Sequence, residues 1–277
     1  MAFLRVVEVL PPLFRRSDRE LRLLPEVERF KAEVREIRES ADIILVANVK
    51  DRSLLKLETV HAAAVLEREL GVTTSPVVVV RDQNRPQFLS TVLAAVTAGL
   101  KSIMVAWGDG YAGPGASNVR DYASLADAIR DVAAIRAKSA SQAVILAPVN
   151  VERLSDPKGL ALAKGRLRAG ADLLLAQPPT TDAGVTFRRH LALLERSGLR
   201  EKVLLGVFPF KGSGDVLRYE RLFGWSLPKG LHRAADSGRG ALLEAERAVA
   251  RRARAEGLPG IYVSTRGEPR LAKAILA

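Results

Sequence analysis

Two acidic residues lie at the ends of apolar runs and are the strongest candidates for chemistry. Glu8 lies in the run VVEVL, and Asp109 stands between two glycines just after Trp107. Apolar surroundings disfavour a charged carboxylate, so we expect a raised pKa for Glu8 and a role as general acid near neutral pH. A structural ion pair between Glu8 and an inward-pointing Arg81 is an equally good interpretation. For Asp109, a plain turn residue is the simpler interpretation.

Other polar or aromatic residues also stand where apolar runs end. They are Asn48, Arg81, Asp82, Asn84, Asn150, Gln177, Phe208 and Thr265. Each of these signals is weak alone. Gln177, for example, stands before Pro178 and is equally explained as the end of a strand. Its amide is also suited to hydrogen bonding with the edge of a heteroaromatic ring. Tyr122 is more simply explained by packing at the start of a helix than by ligand contact.

The elements that must position these residues alternate regularly. Short apolar runs predict eight strands, at 4–10, 43–48, 77–80, 102–107, 143–149, 172–176, 203–207 and 260–264. A helical pattern follows each strand, and the long segment after 203–207 is predicted to hold helices at 215–223 and 236–256. Eight βα units in a chain of 277 residues predict an α/β fold, a single-domain (β/α)8 TIM barrel over residues 1–277. In a barrel, the residues at the strand ends converge on one mouth.

An open doubly wound sheet is the competing fold. That fold often carries a glycine-rich first turn, whereas the first predicted turn here is Pro11-Pro12 and the sequence has no G-x-G-x-x-G motif. The barrel is therefore favoured.

Composition narrows the function classes. The chain has no cysteine, which excludes disulfides, thiolate metal sites and thiolate-held iron–sulfur clusters and fits a cytoplasmic protein. Its three histidines are scattered, so we expect no metal site. No apolar run is long enough to predict a membrane span or a signal peptide.

The chain is strongly basic, with a formal net charge of +12 from 43 basic and 31 acidic residues. Nucleic acid or a phosphate-bearing small molecule would explain such an excess. The basic residues alternate with glutamates on the predicted helices, as in 26–39, which is typical of a solvated helix surface. Nucleic-acid binding is therefore the less favoured interpretation.

Taken together, these motifs resemble the flavin-dependent methylenetetrahydrofolate reductase family over most of the chain. The matching segments are EVLPP from Glu8, RDxNR from Arg81, Gly108-Asp109, Tyr122-Ala123-Ser124, Arg168 with Gly170 to Asp172 and Gln177-Pro178, GVxP from Gly206, and Ser264-Thr265. Their order and spacing make the resemblance more specific than any one segment.

The resemblance implies a hydride relay from NAD(P)H through FAD to the one-carbon unit of a folate or related pterin. Glu8 would protonate the substrate to open its five-membered ring, and Asp109 would stabilise the developing cation beside the flavin. The implied flavin-binding residues are Asn48, Arg81, Asp82, Tyr122, Ala123, Ser124, Lys164 and Arg166. The implied substrate-binding residues are Gln177, Phe208 and Thr265.

The sequence departs from the family mainly at the flavin-binding positions. Gly159, Leu162 and Arg166 occupy positions where the family has Asp, Asn and Lys. FAD held differently, FMN, or no flavin thus remain alternatives. So do a pterin-binding subunit that depends on an electron-donor partner, a pterin methyltransferase, and a homo-oligomer.

Overall fold

The computed structural model describes residues 2–18, 20–49, 54–81, 83–108, 121–265 and 267–277, without the side chains of 222 and 223. The strands are β1 Leu4–Val9, β2 Leu13–Arg15, β3 Ile43–Val46, β4 Leu54–Lys56, β5 Thr74–Val79, β6 Ser102–Ala106, β7 Val144–Asn150, β8 Leu173–Gln177, β9 Val203–Val207 and β10 Gly260–Ser264. The helices are α1 Leu23–Ile37, α2 Thr59–Leu70, α3 Arg85–Thr97, α4 Leu125–Lys138, α5 Pro157–Arg168, α6 Val185–Ser197, α7 Ser213–Phe223, α8 Lys229–Asp236, α9 Arg239–Ala255 and α10 Pro269–Leu276.

Eight of the strands close into a parallel barrel, which confirms the predicted fold class. Their order is β1, β3, β5, β6, β7, β8, β9 and β10, and β10 pairs with β1 to close the ring. The register places Glu8 beside Ser264 on one side and Leu45 on the other. The first and last barrel strands therefore meet at Glu8.

Side chains of the barrel strands divide between two buried layers. Val6, Leu45, Val79 and Tyr262 belong to a cluster that fills the inside of the barrel. Residues one position along, such as Val7, pack outward against the helices in a second cluster. Because strand side chains alternate, a residue two positions beyond an inward one also points inward.

Polar side chains fix the helix starts close to the mouth. Asn84 accepts a hydrogen bond from the backbone of Gln87 and begins α3, and Asp156 accepts from Lys158 and Gly159 to begin α5. Side-chain oxygens in these positions satisfy backbone N–H groups that lack partners in the first helical turn. The predicted start of α5 at Asp156-Pro157 is thus confirmed.

Two features at the mouth were not predicted. β2 and β4 form a small antiparallel sheet that follows the ends of β1 and β3, with Phe14 paired to Leu55. The segment after β9 holds an additional helix, α8, and Gly238 with a φ of 102° separates it from α9. The predicted helix at 236–256 was therefore wrong at its start, because the chain turns at this glycine before α9 begins.

The α7–α8 segment, residues 208–238, packs onto the inside of the barrel. Phe208, Phe210, Val216 and Leu231 belong to the same buried cluster as the inward side chains of the strands. The segment therefore covers part of the mouth. Among the described residues, no helix has the length and apolar character needed to cross a membrane.

Candidate functional site

Glu8 lies at the C-terminal end of β1 and points into the barrel, two residues beyond the inward Val6. Its carboxyl group is half-buried and accepts one hydrogen bond on each oxygen. The hydroxyl of Tyr262 donates to Oε2, and the hydroxyl of Ser264 donates to Oε1. Among the described residues Glu8 forms no ion pair with Arg81, which was the alternative interpretation; its two oxygens instead accept from hydroxyl groups of β10.

Burial raises the pKa of Glu8, and the hydroxyls of Ser264 and Tyr262 limit the rise because they stabilise the carboxylate. Burial, together with the charge of Glu8, also raises the pKa of Tyr262, which therefore remains a hydrogen-bond donor. Such a carboxyl group can hold and release a proton closer to neutral pH than a solvated glutamate.

Three other predicted residues lie at the same end of the barrel. Arg81 follows the inward Val79 by two positions and is 2% exposed. Its Cβ faces Gly108, where a Cβ atom would come within 2.9 Å of it. Gln177 ends β8 with a half-buried side chain. Together with Phe208, these residues follow or end barrel strands at the end of the barrel where Glu8 lies.

Phe208 belongs to an aromatic wall made of Phe208, Phe210, Tyr219, Trp225 and Tyr262. Phe208 meets Tyr262 at a ring-centroid distance of 6.2 Å and Trp225 at 5.5 Å, both edge to face. The wall continues through Tyr219 to Phe210. It therefore runs from the partner of Glu8 to the half-buried Trp225 of the α7–α8 segment.

Thr265 follows β10 directly and is 1% exposed. Its backbone N–H donates to the carbonyl of Glu8, whereas its own Oγ1 atom is buried and has no hydrogen-bond partner among the described residues. An orphaned buried hydroxyl costs free energy unless something occupies its hydrogen-bonding capacity. Thr265 is thus adjacent to the site, and its predicted contact with substrate stays a prediction.

Three predicted flavin-binding residues lie just before the start of α4. Tyr122 packs edge to face on Phe88 and donates to Asp131 at 2.8 Å, between α3 and α4. Burial raises the pKa of Tyr122. Ser124 exchanges hydrogen bonds with Asp127 to begin α4, and Ala123 beside it is exposed.

Lys164 and Arg166 lie on α5, in the outer helical layer. Lys164 is exposed, whereas the guanidinium of Arg166 donates to the carbonyl of Pro148. Burial lowers the pKa of Arg166. Because helices run antiparallel to the strands they follow, the last turn of α5 lies toward the end of the barrel opposite the mouth.

Asn48 lies beyond the end of β3. Its amide oxygen accepts from Lys56 of the small sheet, and its nitrogen lies 3.5 Å from the carbonyl of Val77. Asp82 and Asp109 lie outside the described residues. Flavin binding by the predicted set therefore stays a prediction.

Tyr262 and Ser264 were not singled out as partners of Glu8 from the sequence. Their alternation around Val263 in β10 was the available signal, since it places both on the inner face. Trp225 was likewise not predicted, because it lies between two helices in an irregular segment. Within the described part of the chain, no cluster of three or more His, Cys, Asp or Glu side chains suits a metal ion.

Comparisons with known proteins show similarity in structure alone. Neither a scan against protein-family models nor a search of curated proteins finds a match. Among solved structures, an uncharacterised protein from Clostridium thermocellum that binds two copies of 5-methyl-5,6,7,8-tetrahydrofolic acid has a TM-score of 0.59 at 12% identity, covering 99% of this chain and 95% of that one.

Two enzymes are also similar. 2,3-Dimethylmalate lyase, of the PEP mutase/isocitrate lyase superfamily, has a TM-score of 0.57 at 11% identity, with 99% and 78% of the two chains covered. Deoxyribose phosphate aldolase from Aeropyrum pernix has a TM-score of 0.50 at 17% identity, with 98% and 87% covered. At identities this low, the structural similarity shows the barrel fold and leaves the activity open.

Proposed function

We propose that the protein binds a tetrahydrofolate-type pterin at the mouth of the barrel and that Glu8 donates a proton to it. The observation that carries the proposal is the position of Glu8. It lies half-buried near the C-terminal end of β1, and both of its carboxyl oxygens accept hydrogen bonds from hydroxyl groups. Catalytic residues of (β/α)8 barrels lie at the C-terminal ends of the strands.

Two features at the same end of the barrel as Glu8 suit a flat heteroaromatic ligand. The aromatic wall offers Trp225 and Phe208 for stacking or edge contacts. The amide of Gln177 has both donors and an acceptor, which match the ring edge of a pterin. The structural similarity to a Clostridium thermocellum protein that binds 5-methyltetrahydrofolate supports this class of ligand.

The proton supplied by Glu8 has a defined use on a methylene-bridged pterin. Protonation of one of the two nitrogens that hold the one-carbon unit breaks its bond to that carbon, and the other nitrogen becomes part of an iminium ion. Glu8 is left as a carboxylate, which the Tyr262 and Ser264 hydroxyls stabilise. General acid catalysis of this kind typically contributes about 10²–10⁴-fold in rate.

Reduction of the iminium to the methyl form, with NAD(P)H as reductant and a flavin as carrier, stays a proposal from the sequence resemblance. Absorbance spectra of the purified protein before and after addition of FAD or FMN test it. Bound flavin that NADH or NADPH bleaches supports the reductase; unchanged spectra of free flavin contradict it.

A pterin-binding protein without its own flavin is the second candidate. It is favoured because Ser124 and Arg166, both predicted flavin contacts, are engaged in the helix start of α4 and in a hydrogen bond to Pro148. If this second function is correct, the protein should bind a pterin equally tightly with and without added flavin.

Tryptophan fluorescence provides a direct binding test, since the chain has two tryptophans. Trp107 packs against the outer cluster, so Trp107→Phe leaves Trp225 as the single reporter near the mouth. We expect saturable quenching by 5-methyltetrahydrofolate and none by p-aminobenzoylglutamate, which lacks the pterin.

Calorimetry of two variants, one of them a matched control, tests the contribution of Trp225 to binding. Trp225→Leu should weaken pterin binding roughly 5-fold or more, which corresponds to about 1 kcal/mol for a lost stacking contact. Leu162→Ala, at an exposed position on α5, should bind as the wild type does. Absence of saturable binding to the wild-type protein by both methods would refute the proposed function.

A further inference from the structure

The strand that closes the barrel supplies both hydrogen-bond donors to Glu8. Tyr262 and Ser264 are two residues apart on β10 and so point to the same side of the sheet. The register places Ser264 directly beside Glu8 and Tyr262 beside Val6. Tyr262 is 3% exposed and Ser264 is 4% exposed, so neither hydroxyl is in open solvent.

The two hydroxyls differ in how freely they can turn. The ring of Tyr262 lies edge to face against Phe208, and this contact holds the phenol oxygen in place. Ser264 has a short side chain whose hydroxyl proton rotates to suit its surroundings. Both hydroxyls can donate or accept, but the hydroxyl of Ser264 rotates about an sp³ carbon, so Ser264 is the partner that changes more easily from donor to acceptor.

The other strand beside Glu8 does not supply a competing charge. β3 pairs with Glu8 through Leu45, which is apolar and 1% exposed. Arg81 lies two residues beyond the end of β5, at the same end of the barrel, and Tyr262 is the titratable group on β10. The immediate partners of the carboxyl group are thus two neutral hydroxyls.

We propose that Tyr262 and Ser264 are positioning residues for Glu8, with Tyr262 holding Oε2 in both protonation states and Ser264 rotating to accept the proton carried by Oε1. When Glu8 is a carboxylate, both hydroxyls donate to it, as in the structure. When Glu8 is protonated, its O–H on Oε1 points to Ser264 or to a bound ligand. This inference rests on the proposed function only for the identity of that ligand.

The ionisation of Glu8 in the ligand-free protein tests the arrangement directly. Carboxyl resonances of ¹³C-labelled glutamate report the titration, and Glu8→Gln identifies the signal of Glu8. Ser264→Ala and Tyr262→Phe each remove a donor to the carboxylate, so each should raise the pKa of Glu8 by about one unit. Ser264→Thr keeps the hydroxyl and should restore a titration close to that of the wild type.

A Glu8 titration that Ser264→Ala and Tyr262→Phe leave unchanged would overturn the positioning role. If Tyr262→Phe does not fold, the pair Ser264→Ala and Ser264→Thr carries the test, with circular dichroism as the check on folding. A shift of the titration in Ser264→Ala that Ser264→Thr does not reverse also counts against the inference, because it indicates a steric rather than a hydrogen-bonding effect.

Proton uptake on ligand binding separates this inference from the proposed function. Calorimetry with 5-methyltetrahydrofolate in buffers of different ionisation enthalpy measures the protons taken up by wild type and variants. Binding without any difference between wild type and Ser264→Ala rejects the positioning role and leaves the pterin site intact. No binding, together with the predicted titration shifts, rejects the pterin and supports the role of Ser264 and Tyr262.

Discussion

The Oγ1 atom of Thr180 lies 2.9 Å from Nδ1 of His190, and this contact joins the loop after β8 to α6. Both residues are almost fully buried, at 1% and 0% exposure. The other ring nitrogen of His190 has no hydrogen-bond partner within the described part of the chain and lies 3.8 Å from Oε1 of Glu152, which follows β7. This polar cluster, buried at Thr180 and His190 and partly exposed at Glu152, thus connects the loops after two neighbouring strands, one of which carries Gln177.

Replacing Thr180 with valine should weaken the fold. The change keeps the shape of the side chain but leaves Nδ1 of the buried His190 without its partner, which costs about 1–3 kcal/mol. Urea unfolding measures the loss. Thr97→Val is the matched control, because Thr97 is exposed at the end of α3 and bonds to the backbone of Leu93. Equal effects of the two changes would contradict the special role of Thr180.

Glu152 should stabilise the protein in a pH-dependent way. Its neighbours His190 and Arg189 lower its pKa below the ordinary 4.5. The stabilisation is therefore present above pH 4.5 and is lost as the pH falls through the lowered value. Because the side chain is 40% exposed, Glu152→Gln should reduce the free energy of unfolding at pH 7 by less than about 1 kcal/mol. Urea titrations between pH 3 and 7 measure the difference, and a pH-independent effect would refute its electrostatic origin.

The ionisation of Glu8 changes the stability of the fold with pH in the opposite direction to that of Glu152. Its folded-state pKa lies above the ordinary 4.5, so the ionised carboxylate weakens the fold increasingly as the pH rises from 4.5 to the raised value. Across that window each pH unit is worth about 1.4 kcal/mol. Glu8→Gln should thus resist urea better than the wild type at pH 8, with a smaller gain at pH 5.

The matched control for Glu8→Gln is Glu39→Gln, whose side chain is 87% exposed. It should change the free energy of unfolding little at either pH. Glu8→Gln should also keep pterin binding but lose the proton transfer on a methylene-bridged substrate. Unimpaired proton transfer in this variant would show that another group is the acid.

Gly206 has no room for a side chain. A Cβ atom there would lie 2.3 Å from the carbonyl oxygen of Ala176, and a backbone oxygen cannot move away easily. Gly206→Ala should therefore destabilise the protein by about 1–3 kcal/mol and disturb the strand that carries Gln177. Gly165→Ala, on α5 with nothing within 4 Å, should instead stabilise it by about 0.5–1 kcal/mol. Thermal unfolding compares the two, and a stable Gly206→Ala would mean that β8 and β9 can separate.

The barrel itself was predictable because its strands are mostly apolar and each is followed by a helical pattern. The strands Val203–Val207 and Gly260–Ser264 have the predicted bounds, and the others differ by a few residues. The small sheet of β2 and β4 was not predictable. Each strand has three residues, too few for an alternating pattern, and the pairing depends on where the barrel brings two loops together.

The site was predictable in part, for a similar reason. That Glu8, Gln177 and Phe208 share one end follows from parallel strands alone. The partner of Glu8 depends on the stagger with which β10 closes onto β1, and Tyr262 is 254 residues away in the chain. Local patterns do not encode that stagger. The direction in which the Arg166 side chain points depends likewise on its hydrogen bond to the carbonyl of Pro148, which joins α5 to β7.

The α7–α8 segment differs from a surface insertion that could be cut away. Leu231 and Ala235 of α8 share one buried cluster with Val6 and Leu45. A shortened chain without residues 212–238 would expose the interior of the barrel to water, and its unfolding would lose cooperativity. Attempts to widen access to the mouth should therefore replace side chains along the segment and keep its backbone.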